Sequence, residues 1–212
     1  MQITHQGHHF ELLSERALFV PEHSALILSD VHLGKAATFQ AQGMAVPKGD
    51  DEKDLTRISR LLNDTSAKQL IIAGDLLHSP IGNVTDLLTT WIGNTTIPIT
   101  LVMGNHDARA LRGKLPLEIA EHLQLGNLSI VHNPDDADEN FTICGHLHPA
   151  IRIKDGPRSL IRSECFWLQE HALILPSFGT FTGGQVVKPS NGDRLFIPLN
   201  GRTVEIPVAR VS

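Results

Sequence analysis

Four short apolar runs, each ending abruptly in small residues and potential metal ligands, constrain the fold of this 212-residue chain more than any other feature. The runs are LIL, LIIA, ITLV and FTIC, and the segments around their ends are SDVHLG, AGDLLH, MGNHDAR and ICGHLHP. Runs of this length and composition predict strands that give way to loops. Because open α/β sheets bind ligands at the edge where their strands end, the four segments predict one shared site.

The first half of the chain predicts a β-α-β-α-β order. Strands are expected over 25–29, 69–73 and 99–103, one helix begins near Asp50, and a second helix has Asn83 as its N-cap. A loop with Pro47 and Gly49 precedes the first helix. This order predicts parallel strands that are covered by helices.

The helix that begins near Asp50 is amphipathic. Its apolar residues recur at helical spacing and predict a buried side, namely Leu55, Ile58, Leu61 and Leu62. Lys53, Arg57 and Arg60 take the other side and are expected to form a solvated face. A phosphate-binding patch is the alternative interpretation of these three cations.

After Leu125 the chain changes to short runs rich in Ile, Val, Phe and Leu, separated by Gly, Pro, Asn and Asp. This pattern predicts a second half that is mainly β. We therefore expect a single α/β domain over 1–212, with two mixed sheets packed face to face, helices outside them, and the site at the carboxyl ends of the strands.

Paired residues in the first and last segments have the chemistry of metal ligands. Asp30 and His32 are two positions apart, so in an extended segment a carboxylate and an imidazole would point to the same side and hold one cation. His146 and His148 repeat this spacing. Alone, the pair of Asp30 and His32 is more typical of a turn or of a hydrogen-bonded core residue, whereas two histidines that flank one leucine at a strand end rarely serve packing.

The two middle segments supply a bridging ligand and a free imidazole. Asp75 follows Gly74, and its two carboxylate oxygens can bridge two cations. Asn105 can bind a cation through its amide oxygen, which leaves His106 to contact a phosphate or to protonate a leaving group. Asp107 is then expected to fix the tautomer of His106 by a hydrogen bond.

Composition limits the partners and the location of the chain. A formal net charge of −5 and a pI near 6.2 argue against non-specific electrostatic binding of nucleic acid over the whole surface. They do not exclude a nuclease, because bound cations would neutralise acidic ligands. No apolar run approaches the roughly 20 residues that span a bilayer, and the first residues lack the pattern of a secretory signal, so we expect a cytoplasmic protein.

The two cysteines, Cys144 and Cys165, are too few for a disulfide framework and are expected to be buried thiols. The alternative for Cys144, which directly precedes the GHLH segment, is a metal ligand.

The order DxH, GDxxH, GNHD and GHxH, with His132 between the last two, resembles the calcineurin-like metallophosphoesterases from Asp30 to His148. The resemblance implies a four-layer α/β/β/α sandwich and two metal ions. It implies one metal on Asp30, His32, Asp75 and His148, a second on Asp75, Asn105, His132 and His146, and His106 as the catalytic histidine. This chain has His78 where many members have Asp, and Asn133 where many have Gly. Without this resemblance, a single histidine at a strand end such as His132 is more typical of a structural residue.

A closer resemblance is carried by DVHLGKAATFQAQGMAVPKG, GDLLHS, GHLHP and SFGTFTGG, which are similar to the bacterial ligase-associated DNA-damage-response endonuclease (PdeM) family. It implies a Mn-dependent phosphodiesterase that acts on DNA. It also implies an ATP-dependent DNA ligase, a helicase and an exonuclease as companions. The oligomeric state stays open, a dimer included.

The expected ligands are three Asp or Asn oxygens and four His nitrogens, which suit Mn²⁺ first, and Fe or Zn²⁺ as alternatives. Lys35 and Arg109 follow the ligand segments closely enough to reach a phosphate, although a solvated cation is the plainer interpretation. Phe39 and Phe181 could stack on a base, or belong to the core. The rival functions are a monoesterase, a hydrolase of cyclic nucleotides or nucleotide pyrophosphates, a phosphoprotein phosphatase, a non-enzymatic scaffold and a closed structural metal site.

Overall fold

A computed structural model of the chain describes residues 1–46, 49–79, 84–111, 115–154, 160–199 and 201–211. Its first half alternates strands and helices. The strands are β1 (Gln2–His5), β2 (His8–Leu12), β3 (Leu18–Val20), β4 (Ala25–Leu28), β5 (Gln69–Ala73), β6 (Ile99–Val102) and β7 (Glu118–Ala120). The α-helices are α1 (Lys35–Ala41), α2 (Asp50–Thr65), α3 (Val84–Gly93) and α4 (Asp107–Ala110).

These seven strands form the first sheet, in sequence order from β1 to β7. The strands from β4 to β7 are parallel, as predicted, whereas β1 to β4 pair antiparallel, so the sheet is mixed. Every residue of β4 and β6 is buried, which explains why these runs are apolar throughout. The predicted N-cap Asn83 and the loop residue Pro47 lie outside the described residues.

Helices α2 and α3 cover one face of the first sheet. The predicted apolar side of α2 is buried, with Leu55 and Ile58 packed against Leu26 and Ile72 of the sheet. The predicted solvated face holds for Lys53 and Arg60, whose side chains are 64% and 55% exposed.

The same expectation is wrong for Arg57, which is 19% exposed. Its Nη1 donates a hydrogen bond of 2.6 Å to Oδ1 of Asp54, and its guanidinium lies 4.1 Å from the ring centre of Phe178. The helix therefore uses Arg57 to bind a segment from the far end of the chain.

The second half is built from strands, as predicted. They are β8 (Leu123–Leu125), β9 (Leu128–Ile130), β10 (Phe141–Cys144), β11 (Pro149–Lys154), β12 (Leu160–Glu164), β13 (Phe166–Leu168), β14 (Ala172–Ile174), β15 (Gln185–Val186), β16 (Arg194–Leu199) and β17 (Arg202–Ile206). Seven of them form the second sheet in the order β17-β16-β13-β14-β10-β9-β8. Strands β9, β10 and β14 are parallel and the others pair antiparallel, so this sheet is also mixed.

The two large sheets pack face to face over one apolar core. Phe10, Ile27 and Ile71 of the first sheet belong to the same buried cluster as Ile143 and Phe166 of the second. Burying each such side chain contributes roughly 1.5–3 kcal/mol. The expected fold class, an α/β fold with two mixed sheets packed face to face, is confirmed, and its helices lie outside the first sheet.

The outer face of the second sheet carries a different layer from the one that the resemblance implies. A three-stranded sheet in the order β12-β11-β15 lies there, and Ile151 of β11 packs with Leu195 and Ile197 of β16. Within the described part of the second half there is no α-helix. The apolar residues on this face are therefore covered by strands. Among the helices described, none has the length and apolar character needed to cross a bilayer.

Candidate metal centre

The predicted ligand segments lie at the carboxyl ends of β4, β5, β6 and β10, and backbone hydrogen bonds hold neighbouring segments side by side. The amide of Asp30 donates to the carbonyl of Gly74 at 3.0 Å, and the amide of His32 donates to the carbonyl of Asp75 at 2.9 Å. In the second sheet, the amide of Gly145 donates to the carbonyl of His132 at 3.1 Å. The strand ends thus fix where the candidate ligands begin.

Local backbone conformation turns the side chains toward one another. Five of the seven predicted ligands have positive φ: Asp30 (56°), His32 (53°), Asp75 (54°), His146 (67°) and His148 (45°). The extended geometry expected at the two pairs is therefore wrong, since left-handed turns bring these side chains together. Such conformations cost non-glycine residues about 1–3 kcal/mol each and tend to occur at functional sites.

The first group of donors surrounds Asp30, which is fully buried. Its Oδ1 lies 2.8 Å from Nε2 of His148 and 3.9 Å from Nε2 of His32. The two imidazole Nε2 atoms are 3.4 Å apart. Three donor atoms thus face one small volume.

The second group surrounds Nε2 of His132. This atom lies 3.1 Å from Nδ1 of His146, 3.3 Å from Oδ1 of Asn105 and 3.5 Å from Oδ2 of Asp75. The other ring nitrogen of His132 is 2.9 Å from the carbonyl oxygen of Ala73. That contact makes Nδ1 the donor to the carbonyl and directs Nε2 toward the other donors of the group.

Asp75 lies between the two groups. Its Oδ2 is 3.5 Å from Nε2 of His132 and 3.7 Å from Nε2 of His32, while its Oδ1 accepts a hydrogen bond of 2.9 Å from the amide of His106. One carboxylate oxygen therefore faces both groups, which is the geometry that a bridging ligand needs.

Gly74 makes this arrangement possible. It has φ +86°, and a Cβ there would lie 2.1 Å from Nδ1 of His132. An imidazole ring thus approaches the backbone closely at this glycine, and any larger residue would displace the ring.

The donor set fits divalent cations. Nδ1 of His32 is buried without a hydrogen-bond partner among the described residues, a costly state for polar atoms. Asp30, His32 and His148 place their donor atoms within 4.8 Å of one another, and so do Asp30, Asp75 and His132. Carboxylate oxygens and imidazole nitrogens without thiolate suit Mn²⁺, Fe or Zn²⁺.

Burial and charge set the protonation of the donors. Burial lowers the pKa of His32 to about 3, which leaves the neutral imidazole that a metal requires. Burial would raise the pKa of Asp75, but the hydrogen bond and charge of His132 outweigh it and lower this pKa to about 2. Burial opposes the charge on His132, but the hydrogen bond to Asp75 raises its pKa to about 9. The carboxylate is thus anionic at neutral pH.

His106 lies beside the donors, with its ring edge-on to His32 at a centroid distance of 5.0 Å. Its ring stacks on that of His78 at 4.6 Å and 26°. His78 stands out in the sequence only as a departure from the GDxxD pattern. Its contact with His106 could not be read from the spacing, because it depends on how two different loops pack.

The expected hydrogen bond from the ring of His106 to the carboxylate of Asp107 is replaced by two others. Oδ1 of Asp107 accepts from the amide of Leu77 at 2.8 Å, and Oδ2 accepts from the amide of Gly104 at 3.1 Å. Burial raises the pKa of this carboxyl to about 6. Asp107 therefore joins the loops that carry Asp75 and His106.

The two predicted phosphate-binding cations differ in their surroundings. Lys35 is half-buried at the start of α1, where burial lowers its pKa and the charges of Asp30 and Asp75 partly offset that effect. Arg109 is exposed on α4 and has no ion-pair partner within the described ranges. Lys35 thus lies within the electrostatic reach of the donors, and Arg109 faces solvent.

The remaining candidates lie outside the donor groups. Cys144 is buried with Val131 and Ile174, and burial raises the pKa of its thiol to about 12, so the core interpretation is confirmed. The half-buried rings of Phe39 and Phe181 contact each other edge-on at 5.6 Å.

Comparisons with known proteins found a matching family model and similar solved structures. The family model described as calcineurin-like phosphoesterase matches residues 23–176. The Pseudomonas putida nuclease MPE superposes with a TM-score of 0.80 and 30% identity, over 97% of this chain and 99% of that one. The Escherichia coli phosphoesterase Yfce gives a TM-score of 0.40 and 16% identity, over 89% and 94% of the two chains. No curated protein sequence matches the chain.

Proposed function

The chain belongs to the calcineurin-like phosphoesterase family, and from that premise we propose that it is a dinuclear metal-dependent phosphodiesterase that cleaves DNA as an endonuclease. The observation that carries the proposal is the position of Oδ2 of Asp75, 3.5 Å from Nε2 of His132 and 3.7 Å from Nε2 of His32. A single oxygen that faces two groups of donors supports two adjacent cations.

The choice of a nucleic acid as substrate is supported by the likeness to a nuclease that spans 97% of this chain at 30% identity. The resemblance of the segments around Asp30, Asp75 and His146 to ligase-associated endonucleases supports DNA as that nucleic acid, in single-stranded or structured form. It also supports a role in DNA repair beside an ATP-dependent DNA ligase, a helicase and an exonuclease. A cytoplasmic location is the corresponding expectation.

The proposed metal sites follow the two groups of donors. One cation would be held by Asp30, His32, Asp75 and His148, and the other by Asp75, Asn105, His132 and His146. Mn²⁺ is proposed first, with Fe and Zn²⁺ as alternatives, because the donors are oxygen and imidazole nitrogen. When bound, a pair of such cations supplies Lewis-acid polarisation of the phosphate and a clamp on its attacking and leaving oxygens.

The protein's own side chains supply the rest of the chemistry. His106 is proposed to protonate the leaving oxygen, since its ring lies 5.0 Å from that of the ligand His32 and is partly open to solvent. The amide of His106 donates to Oδ1 of Asp75, which holds the backbone of the proposed proton donor beside the proposed bridging carboxylate. Lys35 is proposed to bind a non-bridging phosphate oxygen, and Arg109 to reach the departing strand.

In the deciding experiment, the Mn²⁺-loaded protein is incubated with circular single-stranded DNA, duplex DNA, RNA and 2′,3′-cyclic nucleotides. The Asp75→Ala protein is the control. Linearisation of the circle by the wild type but not by Asp75→Ala supports an endonuclease. Turnover of cyclic nucleotides without any DNA cleavage would show a small-diester hydrolase and contradict the endonuclease. Hydrolysis of p-nitrophenyl phosphate, with bis(p-nitrophenyl) phosphate left intact, would show a monoesterase and contradict the phosphodiesterase.

A further inference from the structure

Two arginines lie directly opposite each other on the small three-stranded sheet. Strands β11 and β12 pair antiparallel, and their register places Arg152 against Arg162. Like charges in this position repel each other and destabilise a strand pair. Within the described ranges neither guanidinium has a hydrogen bond or an ion pair with a carboxylate.

Glu164, the acidic residue that shares a face of β12 with Arg162, is already paired. Glu164 is two positions from Arg162 and therefore points to the same side of the strand. Its carboxylate is paired with Arg16, from the turn between β2 and β3. Among the described residues, therefore, nothing compensates the double positive charge of the arginine pair, which an external anion would neutralise.

The face that carries the two arginines is exposed at their positions and buried at Ala150, two residues closer to His148. Ile151, which alternates with Arg152 along β11, is buried against the second sheet, and Ile153 packs in the same cluster. Arg152 and Arg162 consequently point away from the core, and both are exposed.

The arginine pair is also tied to the candidate metal centre. Strand β11 begins at Pro149, directly after the proposed ligand His148. The neighbouring strand β15 is held at the same point, because the amide of Gln185 donates to the carbonyl of His148 at 2.7 Å. Four residues of extended chain place the Cα of Arg152 about 13 Å from that of His148. A nucleic acid strand carries several phosphates over such a length.

We propose that Arg152 and Arg162 bind the backbone of the DNA strand a few nucleotides away from the phosphate that is cleaved. This inference rests on the proposed function, and it assigns part of the binding surface for that substrate. Guanidinium groups suit the role because their planar donors match the oxygens of a phosphate. The net charge of −5 does not oppose it, since the contact depends on local charge.

The test replaces one arginine by an acid, as Arg162→Glu. This change converts a repelling pair into an attracting one, so the hairpin is retained. Kinetics are measured with Mn²⁺-loaded protein on a long oligothymidylate and on bis(p-nitrophenyl) phosphate, across a range of salt concentrations. Lys68→Glu is the matched control, because Lys68 is exposed and precedes β5, at the opposite end of the sheet from the metal centre.

The proposal expects KM for the oligothymidylate to rise roughly five- to tenfold in Arg162→Glu, and its salt slope to fall by about 0.7 for each lost phosphate contact. Hydrolysis of the small diester should match the wild type. Arg152→Glu should behave in the same way. Lys68→Glu should leave the kinetics on both substrates unchanged.

Equal KM values for Arg162→Glu and Lys68→Glu, with the wild type cleaving the strand, would overturn the arginine contact and leave the proposed function standing. That result is also expected if this face binds a protein. If the wild type hydrolyses the small diester but neither binds nor cleaves the strand, the endonuclease proposal falls, and the arginine contact falls with it. Loss of small-diester activity in Arg162→Glu would also contradict the contact, because it would place the effect at the metal centre.

Discussion

Nε2 of His132 lies 3.5 Å from Oδ2 of Asp75, although the two residues are 57 positions apart and belong to different sheets. The contact joins the edges of the two sheets at the point where their strands end. The carbonyl oxygen of Ala73 orients the His132 ring for this contact, because it lies 2.9 Å from Nδ1, the other ring nitrogen. The site thus requires both sheets to be packed before its donors meet.

Asp75 gives the first prediction. Asp75→Asn keeps the size of the side chain and removes the charge that both groups of donors share. We expect turnover of bis(p-nitrophenyl) phosphate to fall by at least about a thousandfold, and bound metal, measured by mass spectrometry, to fall with it. Asp64→Asn is the control, since Asp64 is exposed on α2. Full activity of Asp75→Asn at normal metal content would exclude a bridging role.

His106 gives the second prediction, which separates chemistry from metal binding. The ring of His106 lies beside the donors and is proposed to act on the leaving group. His106→Asn should lower kcat by roughly 10²- to 10⁴-fold, with both metals still bound. For a substrate whose leaving group needs no proton, the same substitution should lower kcat by a smaller factor.

The matched control for that substitution is His171→Asn, because His171 is 76% exposed and follows β13. It should leave kcat and metal content unchanged. Loss of metal from His106→Asn would instead assign His106 to the metal ligands.

Most of the parallel core could be predicted from the sequence, because buried strands such as Leu70 to Ala73 must be apolar throughout and end where polar ligands begin. The strand Gln69–Ala73 and the start of α2 at Asp50 lie where the pattern predicts them. The motif spacing also gave the set of donors that the structure brings together, although their ligand roles stay predictions.

The parts that could not be predicted depend on contacts between distant segments. Arg57 has the spacing of a solvated residue, and only the packing of Phe178 and Asp54 around it explains its burial. The loops that bring His78 onto His106 are likewise set by tertiary structure. The left-handed φ of Asp30 and His148 has no signal in the sequence, since such strain persists only where the surrounding fold enforces it.

Arg57 gives the third prediction, which concerns stability. Its guanidinium donates to Asp54, to the carbonyl of Glu15 at 3.0 Å and to that of Phe178 at 3.2 Å. Arg57→Ala should lower the free energy of unfolding by about 2–3 kcal/mol, because it leaves these acceptors unpaired. Arg60→Ala, in which a 55% exposed side chain is removed, should cost less than about 1 kcal/mol. Urea denaturation of both variants measures the difference, and equal values would contradict it.

The two buried thiols give the fourth prediction, which concerns alkaline pH. Burial raises the pKa of Cys144 and of Cys165 to about 12, whereas an unfolded cysteine titrates near about 8.5. Below that value both states hold the proton, and as pH rises further only the unfolded state loses it. The free energy of unfolding should therefore fall with pH, approaching about 1.4 kcal/mol per pH unit for each thiol.

Urea denaturation of the wild type, Cys144→Ala and Cys165→Ala at pH 8, 9 and 10 isolates this effect from the titration of lysines. Each variant is less stable at pH 8, because a buried side chain is truncated, but its stability should fall less steeply with pH than that of the wild type. Identical slopes would mean that the thiols ionise in the folded protein, and the burial of Cys144 beside Val131 and Ile174 argues against that outcome.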